Sequence, residues 1–145
     1  MPAKTIRSPR LPAVAVVDDD EAVREALSDL LVVLGFACQT FDRAEAFMAA
    51  YAPHHFDCLI TDVSMPGRSG LELQERLREL GSSMPVIIIT ADASPATRAR
   101  ALSGGALACL TKPVNDDVLL HHLQSTLDRA GRSQGDDRQD TPSDE

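Results

Sequence analysis

The chain has 145 residues, 43% apolar and 25% charged, the balance of a soluble globular domain with one core. A formal net charge of -8 argues against a nucleic-acid footprint, which needs a basic face, and leaves open a partner with a basic docking surface. No stretch approaches the ~20 apolar residues of a membrane span, and no apolar signal core follows the basic start from Met1 to Arg10, so a cytoplasmic protein without membrane insertion is expected.

Residues 1–11, with Pro2 and Pro9 and no periodicity, read as a flexible lead-in to a domain over 12–130. The first predicted strand, Ala13 to Val17, runs straight into Asp18-Asp19-Asp20. Val23, Ala26, Leu27, Leu30, Leu31 and Leu34 then recur at helical spacing until Gly35. Phe36 to Phe41 is a second strand, and Asp42 is placed to cap a helix from Arg43 to about Tyr51. The third strand, Cys58 to Thr61, ends in Asp62; a helix marked by Leu71, Leu73, Leu77 and Leu80 follows and stops at Gly81. Val86 to Ile89 runs into Thr90, and Ser94-Pro95 starts a short helix to about Leu102. After Gly104-Gly105 the fifth strand, Ala108 to Thr111, runs into Lys112-Pro113, and Asn115 caps a last helix carrying Val118, Leu119, Leu123 and Leu127. Residues 131–145 have the composition of a disordered acidic tail. Five strands alternating with five helices predict an α/β fold, a doubly wound parallel sheet.

Such sheets place ligands beyond the carboxyl ends of their strands, where this chain puts carboxylates, a hydroxyl and an ammonium. An acidic triplet alone is an ordinary helix start, and Asp20 and Glu21 suit that use. Asp62 at the end of another central strand changes the reading. Asp18, Asp19 and Asp62 together make a hard-oxygen site that suits Mg²⁺. A cation nearby keeps Asp62 ionised, so it can attack an electrophilic phosphorus without a general base. Mg²⁺ and Lys112 would neutralise the phosphoryl oxygens, and Thr90 would donate a hydrogen bond to one of them.

Val17-Asp18-Asp19-Asp20-Glu21, Thr61-Asp62-Val63-Ser64-Met65-Pro66-Gly67, Ile89-Thr90-Ala91 and Thr111-Lys112-Pro113 together resemble the receiver domain of bacterial two-component response regulators, over about Ala13 to Arg129. Gly70 and Gly105-Ala106 match as well. The resemblance implies a flavodoxin-like sheet of order 2-1-3-4-5, in a stand-alone module like the chemotaxis regulators. Asp62 is then the phosphoacceptor, Asp18 and Asp19 hold Mg²⁺, the backbone carbonyl of Ser64 is a further ligand, Thr90 is the switch hydroxyl, Lys112 the paired lysine, and Lys112-Pro113 a cis bond. The implied partners are a histidine kinase or histidine phosphotransfer protein, meeting the first helix, and a downstream protein target near the fourth helix, fifth strand and last helix. Such a module catalyses only its own phosphorylation and dephosphorylation and is not otherwise an enzyme. Ser64 and Asp92 would flank the path of the hydrolytic water.

Two positions depart from the family pattern. Receivers commonly carry Tyr or Phe three residues before the lysine, where this chain has Cys109, and Val114 stands where many relatives have Phe. With no ring at Cys109, the signal is expected to pass through the backbone after Thr90 and the fourth helix. Cys38, Cys58 and Cys109 otherwise read as buried small hydrophobes, and His54-His55 and His121-His122 lack the spacing of a metal pair. Three other readings compete: a receiver cut from a longer transcription regulator or hybrid kinase, a pseudo-receiver that acts without phosphorylation, and an Mg²⁺-dependent phosphohydrolase. Ser64 stands where such a hydrolase needs its second acid, and no cap domain is visible.

Overall fold

Strands such as Val86-Ile87-Ile88-Ile89-Thr90 are apolar at successive positions, have no face to give to water and must be covered on both sides. The computed structural model, which describes residues 11–135 apart from 66, 68 and 93, with side chains as far as Thr126, shows that arrangement. Strands β1 (Ala13–Val17), β2 (Ala37–Phe41), β3 (Cys58–Asp62), β4 (Val86–Thr90) and β5 (Ala108–Thr111) form one parallel sheet of order β2-β1-β3-β4-β5. Helices α1 (Glu21–Val33), α2 (Ala44–Ala50), α3 (Gly70–Glu79), α4 (Pro95–Ser103) and α5 (Asp116–Gly135) connect and follow them. The expected fold class, strand order and helix count are all present.

Alternation along the strands divides the core in two. Ala15, Val17, Leu59, Ile88 and Cys109 pack under Phe47 of α2, Leu73 and Leu77 of α3 and Ala101 of α4. Val14, Val16, Ile60, Ile87 and Ile89 pack under Leu27 and Leu31 of α1 and Leu119 and Leu123 of α5. Turn chemistry follows the sequence: Gly35 and Gly81 take left-handed backbone (φ 96° and 78°) after α1 and α3. Ser69 and Glu72 form a reciprocal capping box on α3. Ser94 caps α4 with Pro95 in its first turn, and the Asn115 side chain accepts from the Val118 N–H.

Two boundaries differ. Asp42 does not cap α2: Arg43 holds the N-cap position without a side-chain bond, because the Asp42 carboxylate is taken up by the Arg43 guanidinium at 3.1 Å. The last helix runs to Gly135 rather than stopping near residue 130. A single glycine costs a helix about 1 kcal/mol relative to alanine, too little to stop one already nucleated. Residues 1–10 and 136–145, and Pro66 of the second motif, lie outside the described residues.

Candidate functional site

The strand order reverses between β1 and β3, which opens a crevice at their carboxyl ends. Asp18 follows β1 into it, Asp62 ends β3, Thr90 ends β4 and Lys112 follows β5. All four predicted side chains therefore arrive at one place. Asp18, Asp62 and Thr90 are buried and Lys112 half-buried, whereas Asp19 stands exposed at the rim. Asp18, Asp19 and Asp62 each bring a carboxylate oxygen within 4.8 Å of the others, and among the described residues they are the one His/Cys/Asp/Glu group close enough to hold a metal ion.

Local bonds fix the crevice. The Asp20 N–H donates to Asp18 Oδ1 (2.9 Å) and the Arg24 guanidinium donates to the Asp18 carbonyl (2.8 Å), so the turn into α1 is tied at both ends. Lys112 Nζ lies 2.8 Å from Asp18 Oδ2 and 3.4 Å from Asp62 Oδ2. The Lys112–Pro113 bond is cis, and the Lys112 N–H donates to the Thr90 carbonyl (2.8 Å), joining the ends of β4 and β5. Gly70 opens α3 directly beneath β3, its N–H bonded to the Val63 carbonyl (3.0 Å), and a Cβ there would collide with the Asp62 carbonyl oxygen.

The electrostatics are unbalanced. Burial and then the neighbouring Asp18 charge raise the Asp62 carboxyl above its ordinary value, and Lys112 and the Ser64 N–H only partly offset this. Burial works against the Lys112 ammonium as well, but bonds and charge from Asp18 and Asp62 outweigh it, and its pKa is raised. Three carboxylates face one ammonium. The one ammonium lies 2.8 Å from the fully buried Asp18 Oδ2 and is shared with Asp62, so it cannot balance all three carboxylates. Carboxylate oxygens gathered within 4.8 Å with surplus negative charge are the environment a small, hard dication fits.

Thr90 Oγ1 accepts from the Asp92 N–H (2.9 Å). The exposed Asp92 carboxylate accepts in turn from the Ser94 N–H, the Ser94 hydroxyl and the Thr97 hydroxyl, bonds that hold it below the usual carboxylate value. Ser64 is exposed on the loop after Asp62, its N–H directed at that carboxylate. The remaining sequence candidates stay apart from the crevice. His55 stacks edge-on against Phe56 at 4.6 Å, and His121 and His122 sit together on α5. Burial pushes the Cys58 thiol up to about 12 and raises Cys38 and Cys109, so the thiols are neutral packing groups.

A doubly wound parallel sheet with an acidic, lysine-bridged crevice at its reversal point places the chain among the α/β domains that carry their site at the carboxyl ends of the strands. Residues 14–124 match the family model of the response regulator receiver domain, and the chain belongs to that family. It is 37% identical over 115 residues to the transcriptional regulatory protein FixJ of Bradyrhizobium diazoefficiens, which covers 79% of this chain and 56% of FixJ. It is 36% identical over 120 residues to the sensor histidine kinase RcsC of Escherichia coli, covering 83% of this chain and 13% of RcsC. The chain thus spans about half the length of FixJ and far less of RcsC. Among solved structures, the chemotaxis protein CheY4 of Vibrio cholerae superposes with TM-score 0.74 at 28% identity, over 81% of this chain and 99% of that one. A receiver protein from Pseudoalteromonas atlantica gives 0.76 at 30%, over 82% and 99%.

Three side chains that serve this region escaped the sequence reading. Arg24 ties down the Asp18 carbonyl, Gln74 of α3 donates to the Ala101 carbonyl of α4 (3.0 Å), and Arg98 of α4 donates to the Cys109 carbonyl of β5 (2.9 Å). Gln74 was detectable as a polar residue beside the apolar positions Leu73 and Leu77. The arginines bond to backbone carbonyls, which leave no residue-type signature at the accepting position.

Proposed function

We propose that Asp62 accepts a phosphoryl group from a histidine kinase or a histidine phosphotransfer protein, and that the phosphorylated domain regulates a protein partner or passes the group on. The observation that carries this reading is the three-carboxylate cluster at the end of β1 and β3 with Lys112 bridging Asp18 and Asp62. An Asp62 oxygen would attack phosphorus as the bond to the donor's imidazole nitrogen breaks, and the electron pair of that bond leaves with the imidazole. Lys112, already held at the carboxylates, would take one phosphoryl oxygen, and the Thr90 hydroxyl another.

Asp18, Asp19, Asp62 and the Ser64 carbonyl would hold Mg²⁺, which when bound neutralises charge on the transferring group. The chain's own residues do the rest: burial keeps bulk water from Asp62, Arg24 fixes the backbone at Asp18, and Gly70 fixes it just after Asp62. Nothing in this chemistry turns over a separate substrate, so the catalysis is confined to the domain's own phosphorylation state. The reading places the protein in the cytoplasm; no helix among the described residues is long and apolar enough to cross a membrane.

A second reading shares the site and differs in context. Relatives that carry this domain include a transcriptional regulatory protein and a sensor histidine kinase, both longer than this chain, so the same chemistry would serve as the input of a regulator or the relay of a hybrid kinase. The first experiment is intact mass spectrometry after incubation with Mg²⁺ and a small acyl-phosphate donor, beside Asp62→Ala. One added phosphoryl group on the wild type alone, lost without Mg²⁺, is expected. No addition to the wild type even from a kinase would leave a pseudo-receiver that works without phosphorylation.

A further inference from the structure

The crevice is joined to α4 by a closed chain of hydrogen bonds. Thr90 Oγ1 accepts from Asp92, whose carboxylate holds Ser94 and Thr97 at the start of α4. The next residue, Arg98, reaches across to the Cys109 carbonyl at 2.9 Å. From Cys109, β5 runs to Lys112, whose N–H returns to the Thr90 carbonyl and whose ammonium rests on Asp18 and Asp62.

The links differ in strength. β5 is locked to β4 by the register Ile87–Ala108 through Thr90–Thr111. By contrast, α4 has one buried residue, Ala101, and its C-terminal end is held by Gln74 and Arg78, which donate to the Ala101 and Gly104 carbonyls. The N-terminal half of α4 rests on the Ser94 cap and on Arg98.

We propose that Arg98 is the residue that couples α4 to the phosphoryl state of the crevice, and that its bond to the Cys109 carbonyl is what phosphorylation breaks. The proposal rests on the phosphoacceptor reading of Asp62. When the Thr90 hydroxyl turns to a phosphoryl oxygen, the Asp92 N–H loses or follows its acceptor, and the Ser94 cap moves with it. β5 cannot follow because β4 holds it. The displacement is taken up between α4 and β5, with α4 pivoting on its Gln74 and Arg78 end. Cys109 supplies no ring to this joint; its backbone oxygen does the coupling.

Reciprocity gives the test. If occupancy of the crevice breaks the Arg98 bond, removing that bond must strengthen occupancy by the same factor. The full chain, Arg98→Met and Arg98→Lys would be titrated by calorimetry with beryllium trifluoride in Mg²⁺, an equilibrium mimic of the phosphoryl group. Amide exchange of α4 would be followed on each. One net hydrogen bond corresponds to about fivefold, so Arg98→Met is expected to bind the mimic about fivefold more tightly. Its α4 amides should already exchange faster when free and show no further change on binding. Arg98→Lys, which keeps a donor, should recover most of both effects, and β2 amides should not change in any variant. Wild-type affinity and a wild-type α4 response in Arg98→Met, with Asp62 still phosphorylated by an acyl phosphate, would overturn the coupling alone. Failure of the wild type to bind the mimic or take a phosphoryl group would overturn the site reading, and this proposal with it.

Discussion

The two flanks of the sheet are held together by different forces. The chain has four Phe, one Tyr and no Trp, and every ring lies between Phe36 and Phe56, on the β2–α2 flank. Phe41, Phe47 and Phe56 meet one another with centroids 5.5 to 6.2 Å apart, two of the three pairs edge-on, and Tyr51 adds a fourth ring at 5.9 Å from Phe47. The α4–β5 flank has Ala101, Ala106 and Cys109 in the corresponding layer, and α4 is secured by three side chains that reach backbone carbonyls. Large rings bury area and resist displacement, whereas single hydrogen bonds contribute only about 0.5–1.5 kcal/mol each. One flank is built as a foundation and the other as a part that can shift, and the acidic crevice lies on the seam between them.

The sharpest way to break this comparison is to remove a ring. Phe47 is fully buried, and Phe47→Ala is expected to cost about 3–5 kcal/mol in urea denaturation, because a cavity in a ring cluster cannot collapse. If the loss were below 1 kcal/mol, the aromatic flank would not be the foundation. Mg²⁺ tests the seam. At about a hundredfold over its dissociation constant it should stabilise the wild type by about 2.7 kcal/mol. The added amide protection should appear in β1 and β3 and leave α4 unchanged, while Asp62→Ala should lose most of the effect. Protection gained in α4 as well would show that the metal alone moves the shifting part.

Placing a ring in the ring-free flank should give a smaller effect. Cys109 is buried beneath α4, and Cys109→Tyr is expected to cost about 1–3 kcal/mol from overpacking, with the loss concentrated in α4 exchange. A neutral substitution would mean that α4 already makes room for a ring, and that the Arg98 bond is not needed to set its position.

Much of this layout was legible in the sequence, and the illegible parts share a cause. Strand runs, the Ser94 and Asn115 caps and the charged residues at strand ends gave the sheet and brought Asp18, Asp62, Thr90 and Lys112 to one crevice, because each depends on residue type at a fixed offset. Asp42 deceived because its cap geometry competes with an adjacent Arg43, and residue type does not say which partner wins. Arg24 and Arg98 were missed because their partners are carbonyl oxygens 6 and 11 residues away, and every residue has one.

The smallest predicted effect isolates the charge on the seam. The fold holds the Asp62 carboxyl above its ordinary value, chiefly by burial and then through Asp18. For an acid raised in this way the ionised form costs stability, so the cost is absent in acid, appears as pH rises from the unfolded value through the folded one, and is complete above it. Asp62→Asn removes the charge and keeps the shape. In metal-free buffer it should match the wild type near pH 3 and be more stable at pH 7 by on the order of 1 kcal/mol, as relief of a destabilising functional group gives. Saturating Mg²⁺ should reverse the order at pH 7, because only the wild type keeps all three carboxylates for the ion. Equal stability across the pH range would mean that the single ammonium of Lys112 already balances the crevice, and the case for a dication at Asp18, Asp19 and Asp62 would lose its electrostatic ground.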